Sequence, residues 1–478
     1  MSLRTVLVTL LACAVSSAQT TSRNVTLLAN FFPNDRFSDI WGYVDHATGR
    51  EYALLLSRQG TYVVETTNPT SPVQRGYIAG SLSGWSPSAW RDARTYGQYA
   101  YVVTEGGGGM QVINLANPNS PAFVRTHRPA GVNWGNTHNI SIDLATGKLY
   151  VVGTSGGMHI FDVAANPTNP PYVGSYTAEY VHDVQVREGV AFLSEINRGF
   201  LRLLDVRNLP AMPQLGVIGY GAAHQAWPSP DGDYVAGASE AVGGYVGIFD
   251  VTNYASIRQV ARYNFPTNPY ETSVHNVFNR DHIVHCAWYL SGYVACDTSD
   301  PLNPVTVGHY DTFAGTGVFS GAWGCYPFQP SGNVYLSDIM SGLYVFRLRG
   351  TPEHYGNAVA AAPGTAPEIA TCGASWLGSS SFALEARKAA PGSPVFFFVG
   401  MNAANLAFGG HTLLVDTTIG GIDQATANAR GIARTRIPLP NDPALDGLQL
   451  HAQALVPMAG APLGIAMSDG LRAELFVR

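Results

Sequence analysis

HNISIDLATGKLYVVGTSGGMHIFDVAANPTNPPYVGSY, residues 138–176, is the stretch from which the fold follows. Four short runs rich in β-branched and aromatic residues, at 139–144, 148–153, 158–163 and 172–176, are separated by turn chemistry. The breaks are Ala145-Thr146-Gly147, Gly156-Gly157 and the Asn/Pro-rich segment 166–171. Runs of this length with turn residues at each break predict a four-stranded antiparallel sheet. Such a sheet has two apolar faces and needs copies of itself on either side.

The copies are in the sequence. Ile40-Trp41, Arg91-Asp92, His138-Asn139, His182-Asp183, His224-Gln225, His275-Asn276 and Trp323-Gly324 stand at equivalent places, their second members 51, 47, 44, 42, 51 and 48 residues apart. The third runs end alike, as in YVVETTNP, MQVINLANP, HIFDVAANP and VGIFDVTN. A repeat of roughly this period with four strands per unit is the signature of propeller blades. The expectation is an all-β chain containing a seven-bladed β-propeller. The seventh copy stops at Leu348 after three strands, while a spare β-like run, 25–32, precedes the first. That run is expected to complete blade seven, so that the propeller is closed by an N-terminal strand and no sheet edge is left open.

Charged residues are only 13% of the 478, the net charge is −6 and no Lys/Arg cluster occurs, which argues against a nucleic-acid partner. No internal apolar stretch is long enough for a transmembrane helix. Arg4, the apolar run 6–15 and Ser16-Ser17-Ala18 predict a signal peptide over residues 1–18. Leu10-Leu11-Ala12-Cys13 approximates a lipid-attachment box, so a lipid anchor at Cys13 is the competing reading. Either way the expected location is secreted, periplasmic or at the surface of a bacterial cell. Cys286, Cys296, Cys325 and Cys372 have no zinc spacing. Cys286 and Cys296 flank Leu290-Ser291-Gly292 and read either as a cross-strand disulfide or as two buried free thiols. The propeller is expected over 24–350, an Ala/Gly/Pro-rich linker over 351–373, and a small, separable β-sandwich domain over 374–478.

The stretches WGYVDHATGREYALL at Trp41, WRDARTYGQYAYVVTEGGGGMQVINL at Trp90 and NTHNISIDLATGKLYVVG at Asn136 carry a family resemblance. HDVQV at His182, HQAW at His224, SVHNV at Ser273 and GAWGCYPFQPSGNVYLSD at Gly321 extend it. Together they resemble the choice-of-anchor B family, extracellular bacterial proteins built from LVIVD-type repeats. The resemblance implies a secreted or surface-held propeller with an interchangeable C-terminal module, and it implies no particular activity.

In a propeller the first strand of each blade lines the central channel, and the loop between second and third strands opens on the face where that strand begins. His138, His182, His224 and His275 are expected to converge there with Asp92, Asn139, Asp183, Gln225 and Asn276. Second-strand ends add Arg58, Glu105, Glu195, Glu240, His285 and Asp338. The plain alternative is that repeats duplicate residues and the ring only hydrogen-bonds neighbouring blades. The repeated acids Asp162, Asp205, Asp250 and Asp297 read as turn caps.

No cofactor is dictated by the sequence, but clustered imidazoles suit a divalent ion such as Mn²⁺ or Zn²⁺. The candidate ligands are His138, His182, His224, His275, Gln225 and Glu240. This set is similar, in fold and residue type alone, to the channel site of seven-bladed polysaccharide lyases. In such an enzyme the metal would neutralise a uronate carboxylate, and His285, Tyr289, Arg58 and Glu105 are the candidate catalytic residues. A serine hydrolase of α/β type with a GxSxG elbow is not expected, nor a P-loop, nor a GxGxxG fingerprint in a βαβ setting. The function expected is a binding or scaffold module for an extracellular protein or glycan. The alternative is a metal-dependent enzyme with its site in the channel, such as a lyase acting on acidic polysaccharide.

Overall fold

The computed structural model describes residues 21–80, 90–132, 136–265, 272–362 and 364–478. The expected signal peptide and Cys13 lie outside the described residues. Residues 138–176 form the strands Asn139–Asp143, Lys148–Thr154, Gly157–Asp162 and Tyr172–Tyr176, hydrogen-bonded in that order. The Asp143 carboxylate makes the first turn, accepting from the Thr146 hydroxyl at 2.7 Å and the Ala145 amide at 3.2 Å, and Gly147 closes it at φ +63°. GTSGG at 153–157 has the letters of a nucleophile elbow, yet it turns between two antiparallel strands and opens no helix.

Among the described residues, seven antiparallel sheets share this strand order. Their first strands are Phe37–Asp45, Arg91–Tyr96, Asn139–Asp143, Asp183–Arg187, Ala223–Pro228, Val277–Arg280 and Ala322–Tyr326. Each lies beside the next, and Ala322–Tyr326 returns to lie against Phe37–Asp45, so the sheets form a closed ring. Their apolar faces meet: Tyr150, Val152 and Met158 of the third sheet pack on Val184, Val186 and Leu193 of the fourth.

Val25–Phe31 pairs antiparallel with Gly342–Leu348 as the outer strand of the seventh sheet. Just before it, Ser22–Arg23 sits opposite Tyr310 and His309 as a fifth strand on the sixth sheet. The N-terminal segment thus ties two sheets together, where the sequence pattern pointed to one. Cys286 lies opposite Val294 and Cys296 opposite Val284, two residues out of register, and all four described cysteines are buried free thiols. Removing residues 21–34 should lower the thermal midpoint by at least about 10 °C, because it opens two sheet edges and uncovers the core face that Val25 covers. A differential scanning measurement with an unchanged midpoint would count against closure by this strand.

The C-terminal part is two further sheets. One runs Glu353–Tyr355, Ile465–Glu474, Gln449–Pro457, Pro394–Phe408 and His411–Thr426, and the other Glu368–Cys372, Ala383–Arg387 and Ala433–Arg436. Ile369, Leu384, Val395, Phe397 and Leu471 form the core between them. Residues 351–373, whose composition suggested a linker, do not run free of these sheets. Two strands within that segment cover edges that the C-terminal sheets would otherwise expose.

Nor is the unit loosely attached. Asp297 accepts from the Ala374 amide at 3.0 Å and from Trp376 Nε1 at 3.2 Å, while Arg430 pairs with Asp233 at 2.7 Å. Arg434 joins Asp231 at 3.0 Å to the fully buried Glu385 at 2.5 Å. Burial opposes the charge on Glu385, but the His282 hydrogen bond and the charges of Arg387, His282 and Arg434 hold its carboxyl well below the usual range. A carboxylate with a depressed folded pKa stabilises above its unfolded value of about 4.3 and loses that contribution as the pH falls through the folded value. Glu385→Gln should therefore cost about 3 kcal/mol near neutrality. Thermal midpoints followed towards acid pH should fall more for the native protein than for the variant.

Candidate metal centre

The seven first strands all begin at one end of the ring, and the repeat sets one residue at each start: Ser38, Arg91, His138, His182, His224, His275 and Trp323. The next residues are Asp39, Asp92, Asn139, Asp183, Gln225, Asn276 and Gly324. In the first sheet the pair is thus Ser38-Asp39, not Ile40-Trp41. A bulge between Phe37 and Ile40 displaces the repeat. Asp39 Oδ1 accepts the Ile40 amide at 2.7 Å just as Asp92 Oδ1 accepts the Ala93 amide at 2.6 Å.

The four histidines stand side by side, with ring centroids 4.0 Å apart for His138–His182, 4.6 Å for His182–His224 and 4.2 Å for His224–His275. The row continues through Trp323, 4.1 Å from His275, to Trp90, stacked on Trp323 at 3.9 Å, with the Arg58 guanidinium 4.8 Å from the Trp90 ring centre. His275 Nδ1 donates to the Trp323 carbonyl at 2.7 Å, and His138 Nδ1 meets Glu105 Oε1 at 2.6 Å. The rings of His182 and His224 likewise face the backbones of His224 and His275. His224 Nε2 has no hydrogen-bond partner, and Glu240 Oε2 lies 3.5 Å from it. Tyr289, held at φ 20°, donates its hydroxyl to Glu240 at 2.6 Å and packs edge-to-face with His275.

Donor atoms of His138, His182 and His224 lie within 4.8 Å of one another, as do those of His224, Glu240 and His275. Opposed ligands on an ion with bonds of about 2.1 Å are about 4.2 Å apart, so both sets are near ligating distance. Burial, with the other histidines adding, pushes His182 well below its ordinary value; burial does the same to His275, and takes His224 down to about 4. Burial works against charge on His138 too, but the hydrogen bond and charge of Glu105, helped by Asp183 and Glu240, bring it to about 9. Beneath the histidines lie buried acids. Burial and the neighbouring Asp92 push Asp183 up to about 8 and Asp39 well above the carboxylate range. A void of about 10 Å³ between the two layers has room for one ion or one water.

The remaining expected residues go elsewhere. Gln225 Oε1 accepts the Val277 amide at 2.6 Å, a peg from the fifth sheet to the sixth. Asp92 Oδ2 reaches the Ile140 amide at 3.3 Å in the same way. His285 is in the middle of Ile283–Trp288, its Nδ1 2.6 Å from the Tyr293 hydroxyl, apart from the histidine row. Glu195 and Asp338 are the last residues of their strands and turn to Arg202 and Thr312. Glu105, Glu240 and Tyr289 follow one residue after their strands and face the row. The turn acids behave as read: Asp162, Asp205, Asp250 and Asp297 accept amides of Ala165, Arg207, Thr252 and Ser299. Trp90, Asp39 and Trp323 were missed as site residues. Trp323 occupies the repeat position of the histidines, which was the available signal.

Among solved structures, "Crystal structure of RRP9 WD40 repeats" matches with a TM-score of 0.50 at 9% identity, over 69% of this chain and 100% of that chain. The fold is a β-propeller. "Structure of U3-55K" gives a TM-score of 0.49 at 9% identity, over 68% of this chain and 98% of that chain. The LVIVD repeat matches residues 91–127 and 135–178, the propeller's second and third sheets. No curated protein matches the chain. Gln225→Ala should destabilise the propeller by about 1–3 kcal/mol, since it leaves the buried Val277 amide unpaired. Denaturant unfolding measures this, and an unchanged midpoint would make the peg dispensable.

Proposed function

We propose that this chain is a secreted or surface-held bacterial binding protein of the choice-of-anchor B type. It is a seven-bladed propeller closed by its N-terminal strand and followed by a small β-sandwich, and it carries one divalent transition ion at its channel mouth. His138, His182 and His224 are the ligands, with His275 and Glu240 on the adjoining side. The supporting observation is orientation: Nδ1 of His275 and of His138 is taken by a carbonyl and a carboxylate, the outer-shell arrangement that aims the opposite imidazole nitrogen at a metal. The unpartnered Nε2 of the buried His224 agrees with it. Imidazoles with at most one carboxylate suit Zn²⁺ or Mn²⁺ better than Ca²⁺.

The small void beneath the histidines, the engaged Tyr289 hydroxyl and the sequestered His285 favour an ion that supports a binding surface over one that turns over substrate. The lyase alternative draws on Arg91, whose Nε and Nη1 are buried without partners beside the ring and suit a uronate carboxylate. Elemental analysis of the purified protein should give about one Zn or Mn per chain, lost in a folded His224→Ala variant. No metal, and no uptake when Zn²⁺ or Mn²⁺ is added, would end this reading. Release of unsaturated uronate from polygalacturonate or alginate by the metal-loaded protein would replace it with the lyase.

A further inference from the structure

The other end of the channel is chemically unlike the histidine end. Two cavities of about 690 Å³ and 470 Å³ adjoin there, sharing Gln185, Arg187, Trp227 and Phe328 along their common border. The larger is walled on its far side by the C-terminal sheets, through residues such as Ile369 and Lys388. The floor is aromatic. Trp227 and Phe328 stack at 5.4 Å with planes 26° apart, and Trp41 meets Tyr326 at 4.8 Å. Gly42 makes this floor possible, because a Cβ there would lie 2.0 Å from the Tyr326 ring. Trp41, Trp227 and Phe328 all keep part of their surface open to solvent.

The rim is charged yet already neutralised. Arg187 pairs with Glu188 at 3.2 Å, Arg280 with Asp281 at 3.3 Å and Lys388 with Glu368 at 2.6 Å. Arg187 and Arg280 also donate to the Ser229 and Pro327 carbonyls at 2.7 and 2.5 Å. An anionic ligand would have to displace these partners. In contrast, Asn279, only 6% exposed and lining the larger cavity, has a side-chain oxygen with no hydrogen-bond partner. An unpaired acceptor in the wall of an open cleft is a group that a ligand's donor can satisfy.

We infer that this cleft binds a neutral oligosaccharide. Sugar rings offer flat C–H faces to aromatic side chains and hydroxyl donors to an acceptor such as Asn279, and they carry no charge that would compete with the rim pairs. Two adjoining cavities along one aromatic floor fit several linked rings better than a single one. The site lies at the opposite end of the channel from the proposed metal and does not depend on it.

Isothermal titration of the full chain with cellohexaose, laminarihexaose, chitohexaose and hexagalacturonate tests the inference. At least one neutral hexaose should bind and quench tryptophan fluorescence, with hexagalacturonate weaker. Trp227→Ala should abolish binding, and Asn279→Ala should weaken it about tenfold with the thermal midpoint retained. Phe123→Ser, on an exposed outer strand, should bind as the native chain does. Binding of hexagalacturonate alone, no binding of any neutral hexaose up to about 1 mM, or binding unaltered in both cleft variants would overturn it. Metal content measured on the same samples separates this result from the channel reading.

Discussion

Everything else in this protein depends on the pairing of Val25–Phe31 with Gly342–Leu348. A ring of sheets opened at one point has two exposed edges and two uncovered apolar faces, and unpaired backbone groups there are costly to bury and prone to recruit other chains. Using an N-terminal strand to finish the sheet of the last repeat ties the two ends of the ring together. With Ser22–Arg23 extending the sixth sheet, the closure spans two neighbouring sheets. The channel geometry follows, because seven first strands point inward only when the ring is shut.

Inside the closed ring, side chains one residue beyond the histidine positions tie several of the sheets together. Gln225 to the Val277 amide and Asp92 to the Ile140 amide are such rungs, and Asn276 Nδ2 reaches Asp39 Oδ2 at 3.2 Å across the gap that Gly324 leaves. A Cβ on Gly324 would lie 2.0 Å from Asp39 Oδ1, so the seventh repeat has a glycine where the others carry a polar side chain. Four imidazole rings in a row are thus a consequence of repeat geometry, with hydrogen bonds from Nδ1 holding those of His275 and His138.

The C-terminal sheets are built onto the opposite end. Asp297, one of four equivalent turn acids, uses its second oxygen to hold Ala374 and Trp376. A local turn cap repeated around the propeller was thereby turned, at one blade, into a docking contact. The two ends of the channel consequently differ: imidazoles and buried acids at one, an aromatic floor walled by the second unit at the other.

The repeat period, the four strands of residues 138–176, the spare N-terminal strand and the turn acids were all legible from the sequence, because each rests on local chemistry or on strict periodicity. The convergence of His138, His182, His224 and His275 was legible for the same reason. Misreadings fell where one residue decides direction. Alternation along a strand sends Glu195 away from the histidines and Glu105 towards them, and His285 sits mid-strand while Tyr289 takes the end position. The bulge that displaced Asp39 from the repeat, and the edge pairing that turned a Pro-rich segment into strands, depend on partners distant in sequence. Sequence by itself determined which chemical groups recur and at what interval. Only the tertiary structure decided which way each one faces, since that is set by hydrogen-bond register between strands that the chain brings together by folding.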